Sequence, residues 1–227
     1  MRTICYVDGF NLYFGCLKGT PYKWLDLHAL LHRIVNENNP NSEIIAIKYF
    51  TADISAKLAS HGQKAQNAQQ AYHRALLAVT ANRTTAFEII KGFHTISKVH
   101  MLAHQEPPDK TKRVAVWCIE EKQTDVNLAL HAYRDATLDN VEQQVFVSND
   151  SDFAPILAAI NFDFKHRIRL GVVFPLPASQ HERPGNALLT EQTNWTRRYI
   201  FEHELEAAQL PSLIPKRKND IHKPSYW

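Results

Sequence analysis

Glycine is scarce in this chain, 7 of 227 residues. None stands in a G-x-G-x-x-G, G-x-x-x-x-G-K-[ST] or G-x-S-x-G pattern. A dinucleotide oxidoreductase, a P-loop NTPase and a serine hydrolase are therefore disfavoured, since each needs such a glycine-built loop. Cysteine is scarcer still. Cys5, Cys16 and Cys118 stand far apart with no C-x-x-C pair, which argues against structural zinc. Cys5 and Cys118 read as buried thiols on strands. The twelve histidines contain no H-E-x-x-H, and the D-x-D-x-T of a phosphatase is missing. No apolar run approaches the ~20 residues of a membrane span. Met1–Asp8 carries one basic residue and a short apolar run before an acid, unlike a secretory leader. The expectation is a cytoplasmic protein with no membrane association. Charge is nearly balanced, with 26 basic and 23 acidic residues and a net of +3. That permits a nucleic-acid partner without requiring one.

The rest of the composition is ordinary. Hydrophobic residues make up 44% and charged residues 22%, enough to fill the core of a globular domain. Apolar runs bounded by turn residues predict strands at 3–7, 44–50, 86–93, 114–119, 144–148 and 168–174. Residues 98–103 extend the sheet or form a hairpin arm. Helical spacing predicts helices at 26–35, 64–79 and 125–135, and one from Ser151 or Asp152 to 160. Strands alternating with helices imply an α/β fold whose mostly parallel sheet is covered on both faces. After 174 prolines break the pattern. Residues 1–176 are read as one domain and 177–227 as an extension packed on it, ending in a basic tail.

Four acids share one kind of address. Asp8 closes the first strand. Asp125 follows the 114–119 strand across a short loop and opens a helix. Asp150 and Asp152 follow the 144–148 strand. In an open parallel sheet, ligands bind outside the carboxyl ends of the strands. If these strands are neighbours, the four carboxylates converge. Two carboxylates ~5 Å apart repel by about 3 kcal/mol at an effective dielectric of ~20. A set of four must be protonated, paired or bound to cations. Hard divalent cations suit such oxygen donors, with Mg²⁺ and Mn²⁺ foremost.

Three segments resemble the motifs of NYN domains, a branch of the PIN-like nuclease superfamily that includes bacterial LabA-like proteins. Tyr6–Tyr13 (YVDGFNLY) resembles the opening motif, Glu121–Ala129 (EKQTDVNLA) the middle one and Val145–Phe153 (VFVSNDSDF) the third, in the family's order. Asn149 stands where glycine is more usual. The resemblance implies a PIN-like Rossmannoid three-layer sandwich and a metal-dependent ribonuclease. It implies catalytic, Mg²⁺- or Mn²⁺-binding roles for Asp8, Asp125, Asp150 and Asp152. It implies substrate contacts from Asn11, Lys122, Ser148 and Ser151, with Asn11 alternatively orienting Asp8 and Glu121 as a further acid. Hydrolysis of this kind leaves 5′-phosphate and 3′-hydroxyl ends.

The expected partner is single-stranded RNA, held by basic and aromatic side chains. Tyr13, Phe14, Tyr22 and Trp24 follow the first motif and can line a groove, although Phe14 and Trp24 equally suit the core. Lys91, His94, Lys98 and His100 are read either as a basic face for RNA or as a solvated edge strand that discourages aggregation. Arg197, Arg198 and Lys216–Lys218 are candidate phosphate contacts. The competing reading is a binding module, for RNA or protein, that keeps the acids without turnover, or a toxin-like component. A homodimer is expected by analogy with PIN-like proteins.

Overall fold

The apolar run that opens the chain forms strand β1 (Arg2–Asp8), and its side chains divide between two cores. Cys5 and Val7 enter one, Ile4 and Tyr6 the other, as the two-residue period of a strand requires. A strand buried on both faces belongs inside a parallel sheet. The computed structural model places it there. The structure describes residues 1–227 apart from 181, 183 and 218.

Beyond β1 the chain forms α1 (Gly9–Leu12), a π-helical turn (Tyr13–Leu17), α2 (Leu27–Asn38), β2 (Glu43–Ala52), α3 (Gly62–Thr80) and β3 (Ala86–Leu102). Then come β4 (Arg113–Lys122), α4 (Thr124–Ala136), β5 (Gln143–Val147), a 3₁₀ turn (Ser151–Phe153), α5 (Ala154–Phe164) and β6 (Arg169–Val173). The remainder holds α6 (Ala187–Glu191), β7 (Trp195–Arg197), α7 (Glu202–Ala207), β8 (Leu213–Ile214) and β9 (Ile221–His222).

Seven strands form one sheet in the order β4-β3-β2-β1-β5-β6-β7. All neighbours are parallel except β3 and β4. The apolar faces of α2 and α3 fill one core, and those of α4 and α5 the other. This is the predicted α/β three-layer sandwich with a mostly parallel sheet, of PIN-like Rossmannoid form. The chain runs from β1 outward to β2 and β3, then returns to place β5 on β1's other side. The β1/β5 boundary is thus a topological switch point, where such sheets open a crevice at the strand carboxyl ends.

Three features differ from the sequence reading. Residues 114–119 lie in β4, which is antiparallel to β3 and not a neighbour of β1. As the hairpin-arm alternative for residues 98–103 has it, β3 outruns β2 by ten residues and pairs with β4 as a two-stranded arm from Phe93 to Lys122. Cys118, read as buried, is consequently only half-buried, because the arm leaves the cores; Cys5 is buried. Residues 168–174 are not the last strand, since β7 adds a further parallel strand beside β6.

The segment after 176 therefore supplies both a sheet strand and core. Leu205, Leu210, Ile214 and Ile221 pack in the first core. Trp24 is fully buried there and donates its indole N–H to the Pro211 carbonyl at 2.9 Å. Trp227 packs on Trp24 and Tyr72.

Candidate active site at the carboxyl ends of β1 and β5

Asp8 is the last residue of β1 and the N-cap of α1. Its Oδ1 accepts the Asn11 amide at 2.9 Å, and its Oδ2 accepts the Ser148 hydroxyl at 3.0 Å. The register explains the second bond. Val7 faces Val147 across β1 and β5, so Asp8 and Ser148 emerge side by side. Asp8 is only 5% exposed. Burial pushes its carboxyl up to about 6, opposed by those two hydrogen bonds and reinforced by the charges of Asp125 and Asp150.

The backbone after Asp8 has no room for a side chain. A Cβ on Gly9 would sit 2.7 Å from the Phe50 carbonyl oxygen and 2.8 Å from the Tyr49 ring. Gly9→Ala is expected to cost about 1–3 kcal/mol, as overpacking does. Thermal unfolding would measure it, and an unchanged Tm would refute it.

Ser148 is 1% exposed. Besides donating to Asp8, its hydroxyl oxygen accepts the Asp150 amide at 3.1 Å. One hydroxyl thus sets both the first and the third acid. The sequence reading gave Ser148 to substrate; here it is buried, with its hydroxyl engaged by Asp8 and the Asp150 amide. Asp150, not Ser151 or Asp152, caps the following turn, accepting the Asp152 amide at 3.0 Å. Asp152 and Ser151 are exposed at the mouth of the crevice.

Asp125 reaches the same crevice from α4. It sits in the first turn, one residue after Thr124 and two after Gln123, whose backbone is left-handed with φ of 76°. Burial first, then the charges of Asp150 and Asp152, hold its carboxyl above the usual range. Glu121 is raised by burial, then by Asp125 and Asp8. It accepts the Thr124 amide at 3.2 Å and the Thr124 hydroxyl. Gly92 lies beneath, where a Cβ would collide with the Lys122 carbonyl and the Thr124 hydroxyl. Asp8, Asp125, Asp150, Asp152 and Glu121 thus share one electrostatic neighbourhood, although β4 is not where the sequence put it.

The other candidates scatter. Asn11 accepts the Asn149 amide on its side-chain oxygen at 3.0 Å, tying α1 to the loop after β5. Asn149 in turn accepts the Asn186 amide at 2.8 Å, a link from the crevice to the C-terminal segment that sequence spacing does not signal. Lys122 is exposed, with its ammonium 3.2 Å from Glu120; such surface pairs hold weakly. Phe14 is 60% exposed and lines a shallow hollow with Asn11, Asn149 and Pro175. Tyr22 donates to Glu202. Lys91 pairs with Asp53, and Arg197 with Glu37 and Glu204. Lys218 lies outside the described residues. His94, read as part of a basic edge, instead packs against Phe10 at 5.7 Å, opposite Glu121, with a buried Nδ1 lacking a partner.

Among the described residues, no three His, Cys, Asp or Glu side chains form a ready-made metal-ligand group. The donor set is nonetheless all oxygen, and the carboxyls of Asp8, Asp125 and Glu121 are held up by burial and then by neighbouring acids. That fits a hydrated hard cation. Mg²⁺ takes one or two carboxylates, keeps waters and completes its shell with substrate phosphate rather than a closed protein cage.

The model of the NYN domain matches residues 2–182. The chain belongs to the NYN domain family. Its sequence is 40% identical over 244 residues to the 6-hydroxy-3-succinoylpyridine 3-monooxygenase HspA of Pseudomonas putida strain S16, across all of this chain and 75% of that protein. Its fold matches the crystal structure of VPA0982 of Vibrio parahaemolyticus, a protein of unknown function, with a TM-score of 0.50 and 16% identity. That match covers 86% of this chain and 91% of the other. The NYN assignment carries a PIN-like nuclease fold. No helix among the described residues is long and apolar enough to cross a membrane.

Proposed function

We propose that this NYN protein is a metal-dependent ribonuclease that hydrolyses single-stranded RNA in the cytoplasm. The observation that carries the reading is the gathering of acids at the β1/β5 switch point, where burial and neighbouring charges hold the Asp8 and Asp125 carboxyls up. Burying like charges in one crevice costs stability unless a cation is bound there in function. Asp8, Asp125 and Asp150 would hold Mg²⁺ or Mn²⁺, with Asp152 and Glu121 at the rim. Bound there, the cation would neutralise the acids and polarise phosphate and water.

The chain's own residues do the positioning. Ser148 fixes Asp8 Oδ2 and the Asp150 amide together. Asn11 braces the loop that carries Asp150. Lys122 is free to leave Glu120 for a phosphate. Phe14 offers an exposed ring beside the crevice for a base to stack on.

The test is cleavage of a labelled single-stranded RNA pool with Mg²⁺, with Mn²⁺ and with EDTA, comparing wild type with Asp150→Asn. Metal-dependent cutting that leaves 5′-phosphate ends and disappears in the variant is expected. Equal cutting by both proteins would overturn the assignment.

A second reading rests on the relative from P. putida, named for hydroxylating a pyridine. Under it, the same crevice serves a small aromatic substrate, O₂ and a reductant. The two readings separate in one preparation. Oxygen uptake dependent on 6-hydroxy-3-succinoylpyridine and a two-electron reductant, without RNA cleavage, would replace the nuclease assignment.

A further inference from the structure

The acidic crevice has a wall on its β3 side. Asp8, Phe50 and Ile90 lie abreast on β1, β2 and β3. Abreast residues of parallel strands share a face, and this face is the one that α4 covers, since Phe50 and Ile90 pack in the α4/α5 core. β2 ends opposite Gly92. β3 runs on, so Gly92 and His94 continue the Asp8 face beyond the sheet. Gly92 has no side chain, and the Glu121 carboxylate lies over it: a Cβ there would stand 2.8 Å from Glu121 Oε1. His94 comes next, directly opposite Glu121 on β4. Phe10, two residues after Asp8, meets its imidazole edge-on at 5.7 Å. Two pieces of the acidic site therefore hold this one side chain.

The imidazole is short of partners. Its Nδ1 is buried and unbonded, while Nε2 reaches solvent and has no partner among the described residues. Glu121 does not take it up, because its Oε1 accepts from Thr124. An unpaired N–H in the interior is harder to tolerate than an unpaired lone pair. The burial of Nδ1 therefore assigns the proton to Nε2. His94 thus presents a neutral N–H donor beside Asp8, Asp125 and Glu121, which are all acids. A donor among acids does not serve a cation. It suits an anion, and RNA brings one at every nucleotide. Distance decides which. Four residues past Ile90, His94 stands about 13 Å along the strand from the row of Asp8. That is too far for a phosphate held against Asp8 and fits one further along the strand of RNA.

We propose that His94 is a substrate-binding residue that donates from Nε2 to a phosphate flanking the one being cleaved. The inference rests on the nuclease reading and adds to it a contact outside the acidic cluster. Phosphate contacts set the register of a bound strand and carry no base information. His94 accordingly fixes which bond falls against Asp8 without choosing its sequence. Phe10 and Glu121 keep the ring in place for that contact, and no proton is transferred at His94.

The side-chain amide of glutamine places an N–H where Nε2 stands, whereas that of asparagine lies nearer Nδ1. Steady-state cleavage of a labelled single-stranded RNA is the test. His94→Leu and His94→Asn are expected to raise KM about tenfold or more, the scale of a hydrogen bond to a charged group, with kcat within about twofold of wild type. His94→Gln should stay close to wild type. Thermal unfolding identifies any variant that misfolds. A methylphosphonate replacing each phosphate that flanks the cleaved bond, one at a time, should raise the wild-type KM at one position. There His94→Leu should add no further loss, because both changes remove the same contact. Three variants with wild-type KM, His94→Gln as weak as His94→Leu, or additive losses at every flanking position would each overturn the proposal and leave the nuclease reading standing. Absence of metal-dependent cleavage by wild type removes both.

Discussion

Asp8→Asn is expected to lower metal-dependent RNA cleavage by about 10²–10³-fold, the scale on which losing one preorganised electrostatic contact acts. The amide keeps an oxygen for the Asn11 N–H and the shape of the carboxylate, so the fold should survive. What disappears is the most buried charge of the crevice, and with it the tightest hold on a cation. The same residue sets the pH dependence. Its carboxyl titrates at about 6 in the folded protein and near 3.9 in an unfolded chain. A metal ligand must be deprotonated, so metal affinity and cleavage should rise through pH 6 and level off above it. The folding contribution has the opposite sign. Between these pH values the native state binds the extra proton, so the stability this group confers is complete below about 4 and lost as pH rises through 6. Mg²⁺ or Mn²⁺ should therefore raise Tm more at pH 7.5 than at pH 5. A rate flat from pH 5 to 8, or an Asp8→Asn protein as active as wild type, would remove Asp8 from the site.

Asp135→Ala is expected to be the most destabilising single change outside the hydrophobic core. Asp135 and Lys48 are both buried and meet at 2.6 Å on the α4 side of the sheet. Asp135 also accepts the Tyr6 hydroxyl at 2.9 Å, and Gln144 donates to that hydroxyl at 3.0 Å. Removing the carboxylate leaves an ammonium buried without its counter-ion. Breaking such a pair costs about 3–5 kcal/mol. For a chain of this size, each kcal/mol moves Tm by roughly 2–4 °C. The double variant Lys48→Met with Asp135→Leu removes both charges and should recover most of the loss. A fall in Tm of less than a few degrees for Asp135→Ala, or a double variant no better than the single one, would show that the pair does not bear on stability.

The strands of the central sheet were legible because each is a short apolar run closed by turn residues. A strand buried on both faces needs such a run whatever its neighbours. The acids were legible for a related reason. Asp8 and Asp150 follow β1 and β5 immediately, so a correct strand assignment also places the acid. Asp125 reached the right crevice by a different route from the one the sequence suggested. The 114–119 run was read as a strand flanking the site, whereas β4 is the outer strand of an arm. Asp125 arrives instead because α4 starts at the root of that arm and packs back over β1 and β2.

Other features could not be read in advance. Lys48 and Asp135 are 87 residues apart, and nothing local distinguishes them from surface charges. Ser148 was read as a substrate contact, and nothing local shows that the β1/β5 register turns its hydroxyl to Asp8. Asn149, an unexpected residue in its motif, became intelligible once Asn186 was found bound to it. Trp24 and Phe14, alike on paper, went to opposite fates. Trp24 lies under the returning C-terminal segment, and Phe14 lies exposed beside the crevice, with the Lys18 ammonium over its ring.

The sequence by itself determined the sheet, its burial on both faces and the kind of residue at the ends of β1 and β5, because strand period and turn chemistry act over a few residues. Only the tertiary structure decided which acids share a neighbourhood, which polar groups brace them, and that β3 runs on past β2 to carry His94 beside the site. Those outcomes depend on strand order and register, which join residues a hundred or more positions apart and leave no mark in local spacing.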